Sequence, residues 1–136
     1  MARVLGVDIG TVRVGLAVSD PDGVLASPLD VVPREGAEAE IAERTRNLEV
    51  DEIVVGIPLC MDGSHGPAAD AAEAFARALE GAIGVPVARF DERLSTKEAE
   101  RAMRAGGSNA RKQRGVVDKV AAALVLQAFL DSRRTS

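Results

Sequence analysis

The first strand of this chain carries a charge where a buried strand should carry none. R-V-L-G-V-D-I-G, residues 3–10, is a near-continuous apolar run broken by one carboxylate, Asp8. Such a run reads as a strand covered on both faces. An acid inside it is costly unless it is paired, hydrogen-bonded or bound to a metal. Gly10 lets the chain turn, or lets a phosphate approach the backbone closely. On its own, Asp8 fits equally a cap on that turn, bonded to its own backbone. The other acids decide between these readings.

V-R-V-G-L-A-V-S, residues 12–19, returns as a second strand, and S-D-P-D-G at 19–23 is a strong turn. Residues 24–32 read as a third strand, with Pro28 marking a bulge or a sheet edge. The period then changes. Residues 34–48 read as a helix with Ala37, Ile41 and Leu48 on one face and a solvated acidic face opposite. D-E-I-V-V-G-I at 51–57 is a fourth buried strand. A glycine-containing loop, P-L-C-M-D-G-S-H-G-P at 58–67, opens onto a helix over about 68–82. That loop is either an anion-binding helix entrance or a plain connection with Pro67 in the first helical turn. V-P-V-A-R-F at 85–90 is a fifth strand, followed by a helix over about 96–105 that ends at Gly106-Gly107. Residues 108–115 are polar and read as a loop, and 116–130 as a final apolar helix with a short basic tail beyond it.

The order β-β-β-α-β-α-β-α-α predicts an α/β fold. An antiparallel meander is followed by alternating strands and helices, in a mixed five-stranded sheet with helices on both faces. The 136 residues suit one domain, spanning 1–136. A single cysteine, Cys60, excludes an internal disulfide, and no run approaches the roughly 18 apolar residues of a membrane helix. With no signal-peptide pattern, the expectation is a cytoplasmic protein without membrane partners.

Two further acidic positions join Asp8. Asp91-Glu92 stands at the end of the fifth strand, and Asp118 falls in the first turn of the expected last helix. Adjacent residues of an extended segment point to opposite sides, so only one of Asp91 and Glu92 can face Asp8. Capping or a favourable contact with the helix dipole would explain Asp118 alone. It would not explain one acid on each of three core elements. The only histidine is His65, which leaves a zinc site or a histidine-based triad little to build on. Carboxylates alone suit hard cations, Mg²⁺ or Mn²⁺. Two such ions about 4 Å apart activate water and stabilise the leaving oxygen at a phosphodiester. Arg13, Arg93, Arg111, Lys112 and Arg114 are candidates to hold phosphates, each weighed against ordinary surface charge.

The net charge is −4, which argues against a sequence-blind nucleic-acid binder with a uniformly basic surface. Yet residues 101–119 hold six basic side chains against one acid. With no Trp or Tyr and three Phe, base stacking on aromatic platforms is an improbable binding mode.

Four segments together resemble the YqgF/RuvX family of ribonuclease H-like proteins. They are G-V-D-I-G-T-V-R-V-G-L-A-V-S-D at 6–20, V-V-G-I-P-L-C-M-D-G-S-H-G-P at 54–67, F-D-E-R-L-S-T at 90–96 and R-K-Q-R-G-V-V-D-K-V-A-A-A-L-V-L-Q-A-F-L-D at 111–131. The resemblance covers nearly the whole chain. It implies a ribonuclease H-like fold, a metal-dependent endonuclease and a site of three acids: Asp8, Asp118 and, from the Asp91-Glu92 pair, Glu92 in preference to Asp91. It implies precursor 16S ribosomal RNA as the first substrate and branched DNA, which calls for a homodimer, as the second. A non-catalytic nucleic-acid or transcription-associated binding module is the reading from another class. A sugar-kinase-like ATPase, suggested by D-I-G-T, lacks room here for its second domain. The chain departs from the family loop at Cys60, usually Asn, and at His65, often Glu.

Overall fold

The computed structural model describes residues 2–94 and 110–134, with side chains of the last helix from Asp118 onward. Three strands come first: β1 (Val4–Ile9), β2 (Arg13–Ser19) and β3 (Ala26–Pro33). Then follow α1 (Ala37–Asn47), β4 (Glu52–Ile57), α2 (Pro67–Ala82), β5 (Val87–Asp91), a 3₁₀ turn (Glu92–Leu94) and α3 (Ala110–Arg134). The sheet order is β3-β2-β1-β4-β5. The β1–β2 and β2–β3 pairs are antiparallel, and β1–β4 and β4–β5 are parallel. This is the mixed sheet that the meander and the later alternation require. The helix expected over 96–105 lies outside the described residues.

Local chemistry accounts for the boundaries. The register of β2 on β3 slips between Leu16, opposite Asp30, and Ala17, opposite Pro28. The bulge therefore falls beside Pro28, on an edge strand, where a residue without an N–H does least harm. The first helix starts three residues later than its periodicity suggests, because Gly36 takes a left-handed conformation (φ 80°) just ahead of it. Pro67 opens α2, where its missing N–H costs nothing.

The last helix differs most from expectation. It begins at Ala110, so the polar stretch 110–115 is helical and Asp118 lies in the third turn. Ala, Arg, Lys and Gln are all good helix formers, and a single Gly115 costs only about 1 kcal/mol. Arg133 pairs with Glu52 and its guanidinium lies 4.3 Å from the Phe129 ring centroid, so the basic end is docked on the body. Among the described residues no helix is long and apolar enough to cross a membrane.

The two faces of the sheet are built differently. Leu5, Val7, Val14, Leu16, Ile53, Val55 and Ile57 pack with Ile41 of α1 and Phe75 and Leu79 of α2. The other face presents Val4, Ala17 and Val54 to Ala122, Ala123, Leu126, Phe129 and Leu130 of α3. Strand alternation puts Gly6, Gly15 and Gly56 on this second face. The absent side chains let α3 descend onto the sheet. A Cβ on Gly15 would stand 2.0 Å from the Asp118 carbonyl oxygen, and one on Gly6 would stand 2.8 Å from Leu126 Cβ.

Two glycine replacements should therefore act in opposite directions. G15A forces α3 off the sheet and should cost about 1–3 kcal/mol. In G81A the new methyl meets nothing within 4 Å on an exposed helical position, and it should add about 0.5–1 kcal/mol through helix propensity. Urea denaturation of both variants beside the parent chain measures the two signs.

Candidate active site

Asp8 is the fifth residue of β1. With Leu5 and Val7 in the α1/α2 core and Val4 in the α3 core, alternation aims Asp8 at α3. Its cross-strand partner is Gly15. The Asp118 backbone occupies the space over Gly15, so the close approach of α3 brings the second acid to the same corner. The third arrives from the opposite side. On β5, Phe90 packs against Phe129 of α3 edge-to-face, with ring centroids 5.9 Å apart. Glu92, two residues later, folds back in the 3₁₀ turn over Gly56, whose Cβ would lie 2.8 Å from Glu92 Cγ. Gly56 follows Val55, and Val55 pairs with Val7. Glu92 thus enters from the strand beside Asp8.

The electrostatics show how tightly these groups are held. The Glu92 carboxyl is pushed up to about 9, first by burial, then by its hydrogen bond with Asp8 and the charges of Asp8 and Asp91. A hydrogen bond between two carboxyl groups needs a proton on one of them, and the raised group here is Glu92. Asp91 has the reverse environment. Arg93 donates to it through Nη2 (2.6 Å), through Nε (2.9 Å and 3.0 Å to its two oxygens) and through its backbone N–H (2.9 Å). These bonds hold the Asp91 carboxyl below the usual carboxylate range. The two adjacent acids therefore do different things, Glu92 meeting Asp8 and Asp91 bracing the turn.

Asp118 meets a cation. Arg13, the first residue of β2, donates from Nε to Asp118 Oδ2 at 2.7 Å. Among the described residues no group of three His, Cys, Asp or Glu side chains is arranged to hold a metal ion. Asp8 and Glu92 supply a two-carboxylate nucleus, and the third acid is engaged by Arg13. The donor chemistry fits a hard divalent cation. All the oxygens are carboxylate, and the proton that burial and the Asp8 charge keep on Glu92 is one a cation would displace.

The other expected phosphate contacts are spread out. Arg93 is committed to Asp91 and reaches the Met61 carbonyl at 3.3 Å, tying the 3₁₀ turn to the 58–66 loop. That loop spends its own N–H groups internally: Cys60 on the Ser64 carbonyl, Gly63 on the Cys60 carbonyl, Ser64 on Asp62. It is built as a self-bonded connection into α2. Arg111, Lys112 and Arg114 lie on the first turns of α3, not on a loop. Arg114 and Arg111 stand four and seven residues ahead of Asp118, about 6 and 10 Å along the axis at the helical rise. Sequence reading did not find Gly15 and Gly56 as the clearances that admit two of the acids. Their only signal was a glycine inside each of two strongly apolar strands.

The proton on Glu92 makes stability depend on pH. In the unfolded chain Glu92 ionises near 4.5, whereas the native protein keeps its proton up to about 9. Folding therefore takes up a proton between those values. The stabilisation is complete below about 4.5 and is lost as pH rises through about 9. In chelator, the parent chain should lose on the order of 1 kcal/mol per pH unit between about pH 6 and pH 8 from this group. E92Q should flatten that slope, as read from urea midpoints across the range.

Comparison with known proteins places the chain in a family. Residues 2–132 match the RuvX family, described as Holliday junction resolvase. A protein of Anaeromyxobacter dehalogenans (strain 2CP-C) named "Putative pre-16S rRNA nuclease" is 55% identical over 135 residues, covering 96% of this chain and 98% of the relative. One of the same name from Leifsonia xyli subsp. xyli is 47% identical, covering 97% and 87%. Among solved structures, T. thermophilus RuvC in complex with Holliday junction substrate superposes with a TM-score of 0.63 at 18% identity, over 100% of this chain and 98% of that one. The fowlpox virus Holliday junction resolvase gives 0.55 at 11% identity, over 96% and 99%. The fold is that of the ribonuclease H-like resolvases, and the chain belongs to the RuvX family.

Proposed function

We propose that this protein is a divalent-metal-dependent endonuclease, a single nuclease domain that hydrolyses phosphodiester bonds in structured RNA, with precursor 16S ribosomal RNA as its substrate. The observation that carries this reading is Glu92 folded over Gly56 to hydrogen-bond with Asp8, with Asp118 brought to the same corner over Gly15. The names of the relatives support the choice of RNA, and a cytoplasmic location fits it. Asp8 and Glu92 would hold Mg²⁺ or Mn²⁺, with Glu92 releasing its proton and Asp118 as the third ligand. A bound cation, or a pair of them, supplies positive charge to the scissile phosphate and lowers the pKa of an attacking water. The water oxygen bonds to phosphorus as the bridging P–O bond breaks. The chain's own part is to fix the carboxylates on three rigid elements, so that little reorganisation remains for the reaction. Arg13 and the basic first turns of α3 would hold the phosphate backbone, which explains how a chain of net charge −4 retains a polyanion.

Branched DNA is the second reading, favoured by the description of the matched family and by the likeness to RuvC. Resolving a four-way junction calls for two active sites, hence a homodimer.

Purified protein incubated with precursor 16S RNA fragments and four-way DNA junctions, in Mg²⁺, Mn²⁺ or EDTA, separates these readings. Cleavage of the RNA with either metal and none in EDTA is the expected result. Junction cleavage alone would select the second reading, and binding without cleavage of either would show a non-catalytic module. D8N and E92Q should each lower cleavage at least about a hundredfold while remaining folded. Changing Arg111, Lys112 and Arg114 together to Ala should weaken RNA binding across many sequences. It should also reduce the slope of log affinity against log salt by about 2. Helix stability should hold, since Ala is the better helix former.

A further inference from the structure

Arg13 stands between two roles. It is a candidate phosphate contact, yet its guanidinium is bonded to one of the three acids the reaction needs. We infer that Arg13 is a positioning residue that holds Asp118 away from the Asp8–Glu92 pair until a substrate phosphate takes its guanidinium, so that nucleic acid and divalent cation bind cooperatively. This rests on the active-site reading above.

The backbone on both sides of the Arg13–Asp118 bond is pinned. The Arg13 carbonyl accepts the Gly10 N–H at 2.9 Å, closing the β1–β2 turn. The Asp118 carbonyl lies against Gly15, where no side chain could intervene. A change of partner is therefore a matter of side-chain rotation alone. The bond is also replaceable. The two side chains retain 38% and 24% of their exposure, and pairs open to solvent contribute little net stability. A guanidinium has five N–H donors in a fork that matches a phosphate, so a bound backbone phosphate competes well for it. Released, Asp118 is a carboxylate with no cation of its own, at the corner already occupied by Asp8 and Glu92. A divalent cation then gains a third oxygen ligand. Linkage makes the effect mutual, since whatever nucleic acid does for metal affinity, metal does for nucleic-acid affinity.

A simple brace would look the same in a static structure, so the test uses cycles of variants and needs no catalysis. Binding of a fluorescein-labelled RNA hairpin in EDTA is measured by anisotropy for the parent chain, R13Q, D118N and the double variant. D118N should tighten binding about fivefold by freeing Arg13, and this gain should vanish in the R13Q background. Equal gains in both backgrounds would mean only that a negative charge was removed, and would overturn the inference. In parallel, Mn²⁺ binding without RNA is followed by loss of the free-ion electron paramagnetic resonance signal. R13Q should bind Mn²⁺ about fivefold more tightly than the parent, and the double variant should not. The same gain in both would also overturn it. R13M, which keeps the aliphatic stem, replaces R13Q if circular dichroism shows that R13Q is unfolded. D8N separates the two levels of failure. If Mn²⁺ binding by the parent chain is insensitive to D8N, the active-site reading itself falls. If binding is D8N-sensitive but the cycles are additive, only the role of Arg13 falls.

Discussion

Carboxylates gathered at one corner of a sheet repel one another, and this structure is arranged around containing that repulsion. Each of the four acids near the site has its own means of compensation. Glu92 keeps its proton and hydrogen-bonds with Asp8. Asp118 takes the guanidinium of Arg13, and Asp91 that of Arg93. These solutions are not equivalent. The Arg93 bonds stay local, within two residues, and shape the turn. The Arg13 bond joins residues 105 apart and links the start of β2 to the middle of α3. The proton on Glu92 is a charge device that a divalent cation can replace outright.

Containing the charge also requires bringing the acids close, and here the two sheet faces divide the labour. The α1/α2 face carries large branched side chains and most of the apolar burial. The α3 face sets glycine and alanine among fewer large side chains, and at Gly6 and Gly15 the absence of a side chain sets the separation. Apolar burial is roughly proportional to area, so a face of small residues contributes less stability for each position. It gains a short, well-defined distance between helix and sheet. The site therefore stands on the thinner part of the core, braced at its far end by Phe90, Phe129 and Arg133.

Much of this was legible in the residues. The five strands follow from apolar runs, the edge bulge from Pro28, and the α2 entrance from Pro67. The three acids stood out because each interrupts or terminates an element that had no need of charge. What escaped was what depends on contact between elements. Residues 110–115 look like a loop by polarity, yet their side-chain types favour a helix, and polarity prevailed over propensity in that reading. Asp118 was misplaced by two turns as a consequence. The 3₁₀ turn that folds Glu92 back over Gly56 has no periodic signal, being three residues long. Gly15 and Gly56 read as local weaknesses in strands, and only the opposing helix and turn give them their meaning.

The corrected start of α3 changes what Asp118 is. A carboxylate in a first helical turn would be stabilised by the helix dipole and exposed to fraying at the end. In the third turn it escapes both. Its backbone carbonyl and N–H lie within the hydrogen-bonded ladder, and its position follows from the register of the whole helix on the sheet. That register is set by contacts at Gly15 and Gly6, eight helical residues apart between Asp118 and Leu126, which is about 12 Å of axis at the helical rise. Two close contacts that far apart resist both sliding and tilting. The helix is in this sense a lever with its acid near one fulcrum and its basic turns beyond it.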